Sequence, residues 1–208
     1  ELTETRDICD EAFGSVSRTF YDKVNNRLIM AVNFPGELSH FASIDINTGE
    51  RIKITDMTSP TLYYVTSLSF DDSSGTLFYS VNNHDWRSLE SFNINTGDKE
   101  RLISYTRSGD FAFNRVDKSL WGIKSHEGRN SLVKFPPPYR EMIPVYTIPY
   151  GENLFDVDIS PDGTLLSATL ADVGGNQKVI TFRLADLNEG KDNYEVIYEF
   201  EDNTASNF

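Results

Sequence analysis

The chain has 208 residues, of which 38% are hydrophobic and 25% charged, a composition typical of one or two folded globular domains. It carries 19 basic and 32 acidic residues, a net charge of −13 that repels phosphate backbones and anionic lipid and excludes nucleic acid as a general partner. No apolar run approaches the roughly 18 residues of a membrane span, so we expect no membrane insertion. The single cysteine, Cys9, excludes an internal disulfide.

An internal repeat runs along the chain. Four times, an apolar residue is followed by a polar turn and then a leucine, and these leucines are 49, 43 and 45 residues apart. A second apolar marker recurs after 48, 43 and 47 residues. Because repeats share one packing template, the sequence predicts that both markers are buried. The markers are Leu28, Leu77, Leu120 and Leu165, and Ile44, Phe92, Phe135 and Phe182.

Each period has the pattern of four short strands. In the last copy Phe155, Val157 and Ile159 alternate with aspartates, which predicts a strand with one buried face. The turn Ser-Pro-Asp-Gly at 160–163 reverses the chain, and the apolar run 165–170 predicts a strand in the middle of its sheet. The third and fourth strands of this copy are predicted at 179–184 and 194–200. The fourth strands of the first three copies are predicted at 51–55, 100–104 and 143–148.

Four-stranded antiparallel units at this spacing are typical of an all-β fold, the β-propeller, whose blades bury their faces against one another. The sequence predicts a single propeller region with blades at 14–57, 62–106, 109–150 and 153–200, and makes 1–12 a candidate for the outer strand of another blade. Four blades are few for a closed ring. We therefore favour an open arc completed by blades elsewhere in a parent chain over a small closed or self-associated ring.

The stretch Ser-Pro-Asp-Gly-Thr-Leu-Leu at 160–166 resembles the WD-like repeat of TolB-type propellers. That family occurs in bacterial envelope proteins and in the propeller domains of prolyl-oligopeptidase-like peptidases. The resemblance extends from about residue 13 to residue 200, although only the last copy has the Ser-Pro-Asp-Gly motif and no copy ends in Trp-Asp. It implies a periplasmic or extracellular location.

The candidate site lies in loops that the repeat makes equivalent. In WD-like propellers the loops between second and third strands, with the connections between blades, line one rim around the central channel. His40 ends this loop in the first copy, so all three histidines are predicted on one face. We expect a recognition surface with Trp86 as its main anchor; a metal site and ordinary solvated loops are the alternatives. The candidate residues are His84, Asp85, Trp86, Arg87, His126, Glu127, Arg129 and Asp172.

The sequence lacks the usual catalytic motifs. It has no Gly-x-Ser-x-Gly elbow, Walker A loop, Gly-x-Gly-x-x-Gly or Cys-x-x-Cys, and His126-Glu127 lacks the second histidine of a zincin motif. We therefore expect a noncatalytic binding or scaffolding module for a protein, peptide or saccharide, with no cofactor and no metal. Two alternatives stay open: an accessory propeller domain of a larger hydrolase or peptidase, and a metal-dependent propeller hydrolase or lactonase.

Overall fold

Four antiparallel sheets, arranged as the blades of a propeller, make up a computed structural model that describes residues 15–33, 38–57, 65–83 and 86–200. Each sheet is a meander in which every strand pairs with the next one along the chain, except that the first strand of blade 1 is split into two pieces. The prediction of an all-β propeller with four-stranded blades is confirmed. The predicted strand at 1–12 and Cys9 lie outside the described residues.

The strands follow the predicted order. Blade 1 contains β1 (Ser15–Val16), β2 (Phe20–Asp22), β3 (Arg27–Asn33), β4 (His40–Asp45) and β5 (Arg51–Asp56). Blade 2 contains β6 (Val65–Asp71), β7 (Thr76–Asn83), β8 (Trp86–Asn93) and β9 (Lys99–Ile103). Blade 3 contains β10 (Ser108–Phe113), β11 (Leu120–His126), β12 (Arg129–Phe135) and β13 (Ile143–Thr147). Blade 4 contains β14 (Asn153–Ile159), β15 (Leu165–Ala171), β16 (Gln177–Arg183) and β17 (Tyr194–Glu199).

One short helix, α1 (Leu184–Asn188), interrupts the connection between β16 and β17. It buries Leu184 and Leu187 in the core shared by blades 3 and 4. Within the described ranges, no helix is long and apolar enough to cross a membrane.

The turn after each first strand uses the same chemistry in all four blades. A short polar side chain at the start of the turn accepts a hydrogen bond from a backbone N–H within the turn, as Asx-type turns do. These side chains are Asp22, Asp71, Asn114 and Ser160. In blade 4 the turn also requires Gly163, because its φ is +69° and a Cβ there would lie 2.6 Å from Oδ1 of Asn114 in blade 3.

The core consists of apolar clusters between neighbouring blades. One cluster joins blades 1 and 2, a second joins blades 2 and 3, and a third joins blades 3 and 4. Among the described residues, none of these clusters joins blade 4 to blade 1. Each blade interface is therefore a separate apolar layer, as expected for a repeat array.

One of the eight predicted core markers is wrong. Leu165 is 39% exposed, whereas its neighbour Leu166 is fully buried and pairs with Phe182, as Leu120 pairs with Phe135. Counting the turn of the last copy one residue short moved the marker by one position, and in a strand that shift transfers a side chain to the opposite face. Of the other markers, Leu28 is half-buried and the rest are buried.

Candidate recognition surface on the blade rim

Successive turns of a meander lie at alternate ends of its sheet. The connections between second and third strands therefore share one end with the connections between blades, and we call this end the rim. In the described part of blades 3 and 4 the rim comprises residues 104–107, 127–128, 148–152 and 172–176. The turns that follow the first strands, such as 23–26 and 114–119, lie at the opposite end.

Backbone and side-chain contacts link the rim segments of neighbouring blades. The backbone N–H of Arg107 donates to the carbonyl of Arg87 at 3.3 Å, and that of Ser125 donates to the carbonyl of Arg107 at 3.0 Å. The amide of Asn130 donates to Oδ1 of Asn153 at 2.8 Å, which joins blade 3 to the first strand of blade 4. The rim is thus continuous from blade 2 to blade 4.

The blade 2 candidates are only partly within the described residues. His84, Asp85 and the side chain of Trp86 lie outside them, so the choice of Trp86 as anchor stays a prediction. The backbone of Trp86 pairs with Asn83 next to the turn. Arg87 is half-buried, and its guanidinium lies over Gly109, where a Cβ would be 2.9 Å from Nη1. Arg87 is therefore held within the blade 2–3 junction.

The blade 3 candidates form the tip of one tight hairpin. His126 and Arg129 are a directly opposed pair, and the two-residue turn between them, Glu127 and Gly128, has positive φ at both positions (50° and 72°), which defines a type I′ hairpin. Nη1 of Arg107 lies 2.5 Å from Nδ1 of His126. Because arginine only donates, Nδ1 of His126 is the acceptor in this contact. All three candidates of this blade are exposed.

Asp172 belongs to a turn rather than to an open ligand set. Its carboxylate accepts hydrogen bonds from the backbone N–H groups of Gly174 and Asn176 at 2.8 and 3.0 Å and from the Asn176 amide at 2.8 Å. The Asn176 side chain and backbone, together with Gly174, hold the pKa of Asp172 below its usual range.

His40 is not a surface residue. Its side chain is fully buried at the start of β4, with Nδ1 3.0 Å from the carbonyl of Leu38 and Nε2 3.3 Å from Nη1 of Arg51. The sequence predicted all three histidines on one face; His40 starts β4 next to the rim, but its buried side chain is not part of the exposed surface there. His40 is itself the first residue of β4, and it is buried like the four residues that follow it in that strand.

Three exposed apolar side chains of the rim escaped the sequence reasoning. Tyr105 and Tyr150 lie on connections between blades, and Val173 lies in the turn of blade 4 that contains Asp172. Tyr150 is 85% exposed and Val173 is 89% exposed. A Cβ on Gly151 would lie 3.1 Å from Cγ1 of Val173, so the segment that carries Tyr150 touches the neighbouring turn. In the sequence, the sign of this surface was an aromatic residue shortly after a fourth strand, as at Tyr105 and Tyr150.

A cleft of about 600 Å³ opens beside these residues. It combines basic side chains, hydroxyls and the exposed Tyr150, which together can make ionic, hydrogen-bonding and aromatic contacts with a ligand. Its lining is Lys124, His126, Glu127, Arg129, Ser131, Thr147 and Tyr150.

A second cavity, of about 420 Å³, lies where the first strands of the four blades meet. Nη1 of Arg18 donates to the carbonyls of Phe111 and Val157 at 3.3 and 3.0 Å, which ties blade 1 to blades 3 and 4. Asp110 and Asp156 lie in matching bulges with φ of 53° and 55°. Burial raises the pKa of Asp110, and the nearby Asp156 adds to this, while Arg18 and backbone N–H groups of blade 4 oppose it.

The described residues contain no candidate metal site. No group of three or more histidine, cysteine, aspartate or glutamate side chains there is arranged to hold a metal ion.

Comparisons with known proteins identify the fold. No protein-family model and no curated protein sequence matches the chain. Among solved structures it is similar to TolB from Acinetobacter baumannii (TM-score 0.65, 13% identity, 84% of this chain and 41% of that one). It is also similar to a chain of a nidogen/laminin complex (TM-score 0.66, 16% identity, 93% of this chain and 66% of that one). A third similar structure is a puromycin hydrolase (TM-score 0.65, 11% identity, 94% of this chain and 31% of that one).

These likenesses define a class rather than a particular protein. The chain has the fold of the TolB-like β-propellers, as the resemblance of residues 160–166 implied. It spans less than two thirds of the length of each of these three structures. At such identities the similarity establishes the fold, and the site has to be judged on its own residues.

Proposed function

We propose that this chain is a noncatalytic binding module that recognises a protein, peptide or saccharide partner through the rim of blades 3 and 4. The supporting observation is the adjacency of Tyr150 and Val173, both almost fully exposed, to the cleft that contains His126 and Arg129. Exposed aromatic side chains lose unfavourable hydration when a partner covers them, and tyrosine and arginine are enriched among residues that dominate binding energy.

The fixed backbone of the rim also supports a role in binding. The blade 3 hairpin closes through a two-residue turn, and cross-blade hydrogen bonds fix the rim segments on either side of it. A backbone that is already fixed loses little further conformational entropy when a partner binds. One of the similar solved structures belongs to a nidogen/laminin complex, which is in keeping with a protein partner here. The resemblance to TolB-type propellers extends the proposal to a periplasmic or extracellular location.

The test compares the two ends of the propeller. Wild-type protein, the double variant Tyr150→Ser/Val173→Ser and the control Val24→Ser/Val116→Ser are immobilised and exposed to extract of the source cells. Val24 and Val116 are exposed apolar side chains in turns at the opposite end, so both variants lose two exposed apolar groups. Retained species are quantified by mass spectrometry.

We expect the rim variant to lose about tenfold of at least one species that the wild type and the control retain equally. Equal retention by all three proteins would contradict the proposal. So would loss from the control variant alone, because that result would place the binding surface at the opposite end.

A further inference from the structure

Three basic side chains lie on one face of the β11–β12 hairpin. Directly opposed residues of an antiparallel pair point to the same face, as do residues two apart in one strand. The register opposes Lys124 to Ser131 and His126 to Arg129. Lys124, His126 and Arg129 therefore project together, and Arg107 contacts His126 at the edge of this group.

Several basic residues elsewhere in the chain form ion pairs. Lys118 lies 3.4 Å from Asp71, Lys134 lies 3.2 Å from Asp117 and Arg27 lies 2.9 Å from Asp22. Lys124 and Arg129, by comparison, form no ion pair with any residue of the described ranges. Lys124 and Arg129 are like charges at diagonal positions of one face, so the hairpin tip carries an electrostatic cost that an anion would remove.

The basic side chains of the hairpin line a cleft rather than a flat surface. Lys124, His126 and Arg129 line it together with the hydroxyls of Ser131 and Thr147. Among its described lining residues only Glu127 is acidic; its Oε1 is 3.6 Å from Nε2 of His126, and its side chain is largely exposed. A chain with 32 acidic and 19 basic residues thus concentrates basic groups in one rim pocket.

We propose that this cleft binds a short acidic peptide segment of the partner, with its carboxylates on Lys124 and Arg129. The inference rests on the proposed function and names the chemistry that the rim recognises. Arginine offers a planar fork that matches a carboxylate in bidentate geometry, and lysine adds a second charge-assisted hydrogen bond.

The overall charge selects a short segment rather than a polymer. A net charge of −13 repels a long polyanion along the rest of the surface, whereas a segment confined to the cleft lies within the local field of the basic group. A volume of about 600 Å³ is within the range of small-ligand pockets, which suits a few residues of peptide. The hydroxyls of Ser131 and Thr147 supply hydrogen bonds to a peptide backbone.

The experiment measures fluorescence anisotropy of a labelled, N-acetylated hexapeptide of alternating glycine and glutamate. A peptide with glutamine in place of glutamate and a labelled heparin hexasaccharide are the comparison probes. The proteins are wild type, Lys124→Gln/Arg129→Gln and the control Lys23→Gln/Arg183→Gln. Lys23 and Arg183 are exposed, lie outside the cleft and form no ion pair with a described residue, so both double variants change the net charge equally.

We expect the wild type and the control to bind the glutamate peptide at least about tenfold more tightly than the glutamine peptide and the heparin probe. The cleft variant should bind the glutamate peptide about tenfold more weakly, and added salt should reduce the difference. Absence of binding to wild type, equal affinity for the two peptides, equal loss in both double variants, or preference for heparin would each overturn the proposal. Loss of partner retention in Tyr150→Ser/Val173→Ser would still support the proposed function in any of those cases.

Discussion

The face that blade 3 turns towards blade 4 differs sharply from the equivalent face of blade 4. In blade 3 this face carries Trp121, Ile123 and Leu132, all buried against blade 4. The strand register places Ser167, Thr169 and Val179 at the same positions of blade 4, and they are only half-buried. Two bulky apolar side chains of the blade interface are thus replaced by hydroxyl residues in the last blade.

This difference shows how one repeat template serves two environments. In a repeat array each interior unit buries an apolar face on the next, while a unit whose face meets water needs polar groups there. The other face of blade 4 carries Leu166, Ile180 and Phe182, which are fully buried and pack on blade 3. The face with Ser167 and Thr169 is therefore suited to water or to a polar contact, and it is less suited to the apolar packing that joins the other blades.

Replacement of Trp121 should produce the largest effect on stability. Trp121 is fully buried and its indole N–H donates to Oγ of Ser119 at 2.8 Å, so Trp121→Ala removes both the packing and one of the two hydrogen bonds of that hydroxyl. We expect the free energy of unfolding to fall by about 3 to 5 kcal/mol. The matched change on blade 4, Ser167→Ala, should stay within about 0.5 kcal/mol. Urea unfolding measures both, and similar losses in the two variants would refute the contrast between the faces.

Two adjacent leucines of β15 give the next largest effect. Leu166→Ala opens a cavity in the apolar face of blade 4 and should lower the free energy of unfolding by about 2 to 5 kcal/mol. Leu165→Ala acts on the partly exposed face and should cost less than about 1 kcal/mol. Chemical denaturation of both variants checks the register directly. If Leu165→Ala is the more destabilising, the alignment of the last copy to its leucine at 165 was correct after all.

Periodicity predicted the fold because blades repeat one packing scheme. The apolar markers recur wherever the second and third strands cross the core, so their spacing alone predicts the number of blades and the order of the strands. The same reasoning misplaced Leu165, since turn length changes between copies without changing the pattern of residue types. Burial at that position depends on a one-residue register, which only the pairing of Leu166 with Phe182 reveals.

The candidate site was less accessible to sequence reasoning. Alignment identified the second-to-third-strand loops and hence His126, Glu127 and Arg129, because loop positions follow from strand positions. It missed Lys124, which lies within a strand, and Tyr150, which lies between blades, because their exposure depends on how the blade ends are arranged in space. Burial of His40 likewise depends on tertiary packing that its sequence position does not indicate.

The titration of Asp110 should have the smallest effect on the free energy of unfolding. It extends the comparison of blades 3 and 4 to their first strands. Asp110 of blade 3 accepts hydrogen bonds from the backbone N–H groups of Asp156 and Val157 in blade 4, whereas Asp156, in the matching bulge, is exposed. Burial raises the pKa of Asp110 in the folded state, so the folded protein binds the proton more tightly than the unfolded chain does. The contribution of Asp110 to stability is therefore complete below the unfolded pKa, about 3.9, and is lost as pH rises through the folded pKa.

The variant Asp110→Asn tests this sign, because the asparagine oxygen still accepts the two backbone hydrogen bonds but does not titrate. We expect the stability of the variant relative to wild type to increase as pH rises from about 4 towards neutrality, measured by urea unfolding at a series of pH values. Asp172→Asn is the control of opposite sign: the pKa of Asp172 is lowered by its turn, so wild type should gain on that variant as pH rises through the acidic range. Parallel pH profiles for wild type and Asp110→Asn would show that the Asp110 carboxyl is solvated in the folded protein, and the blade 3–4 junction would then be open to water at its first strands.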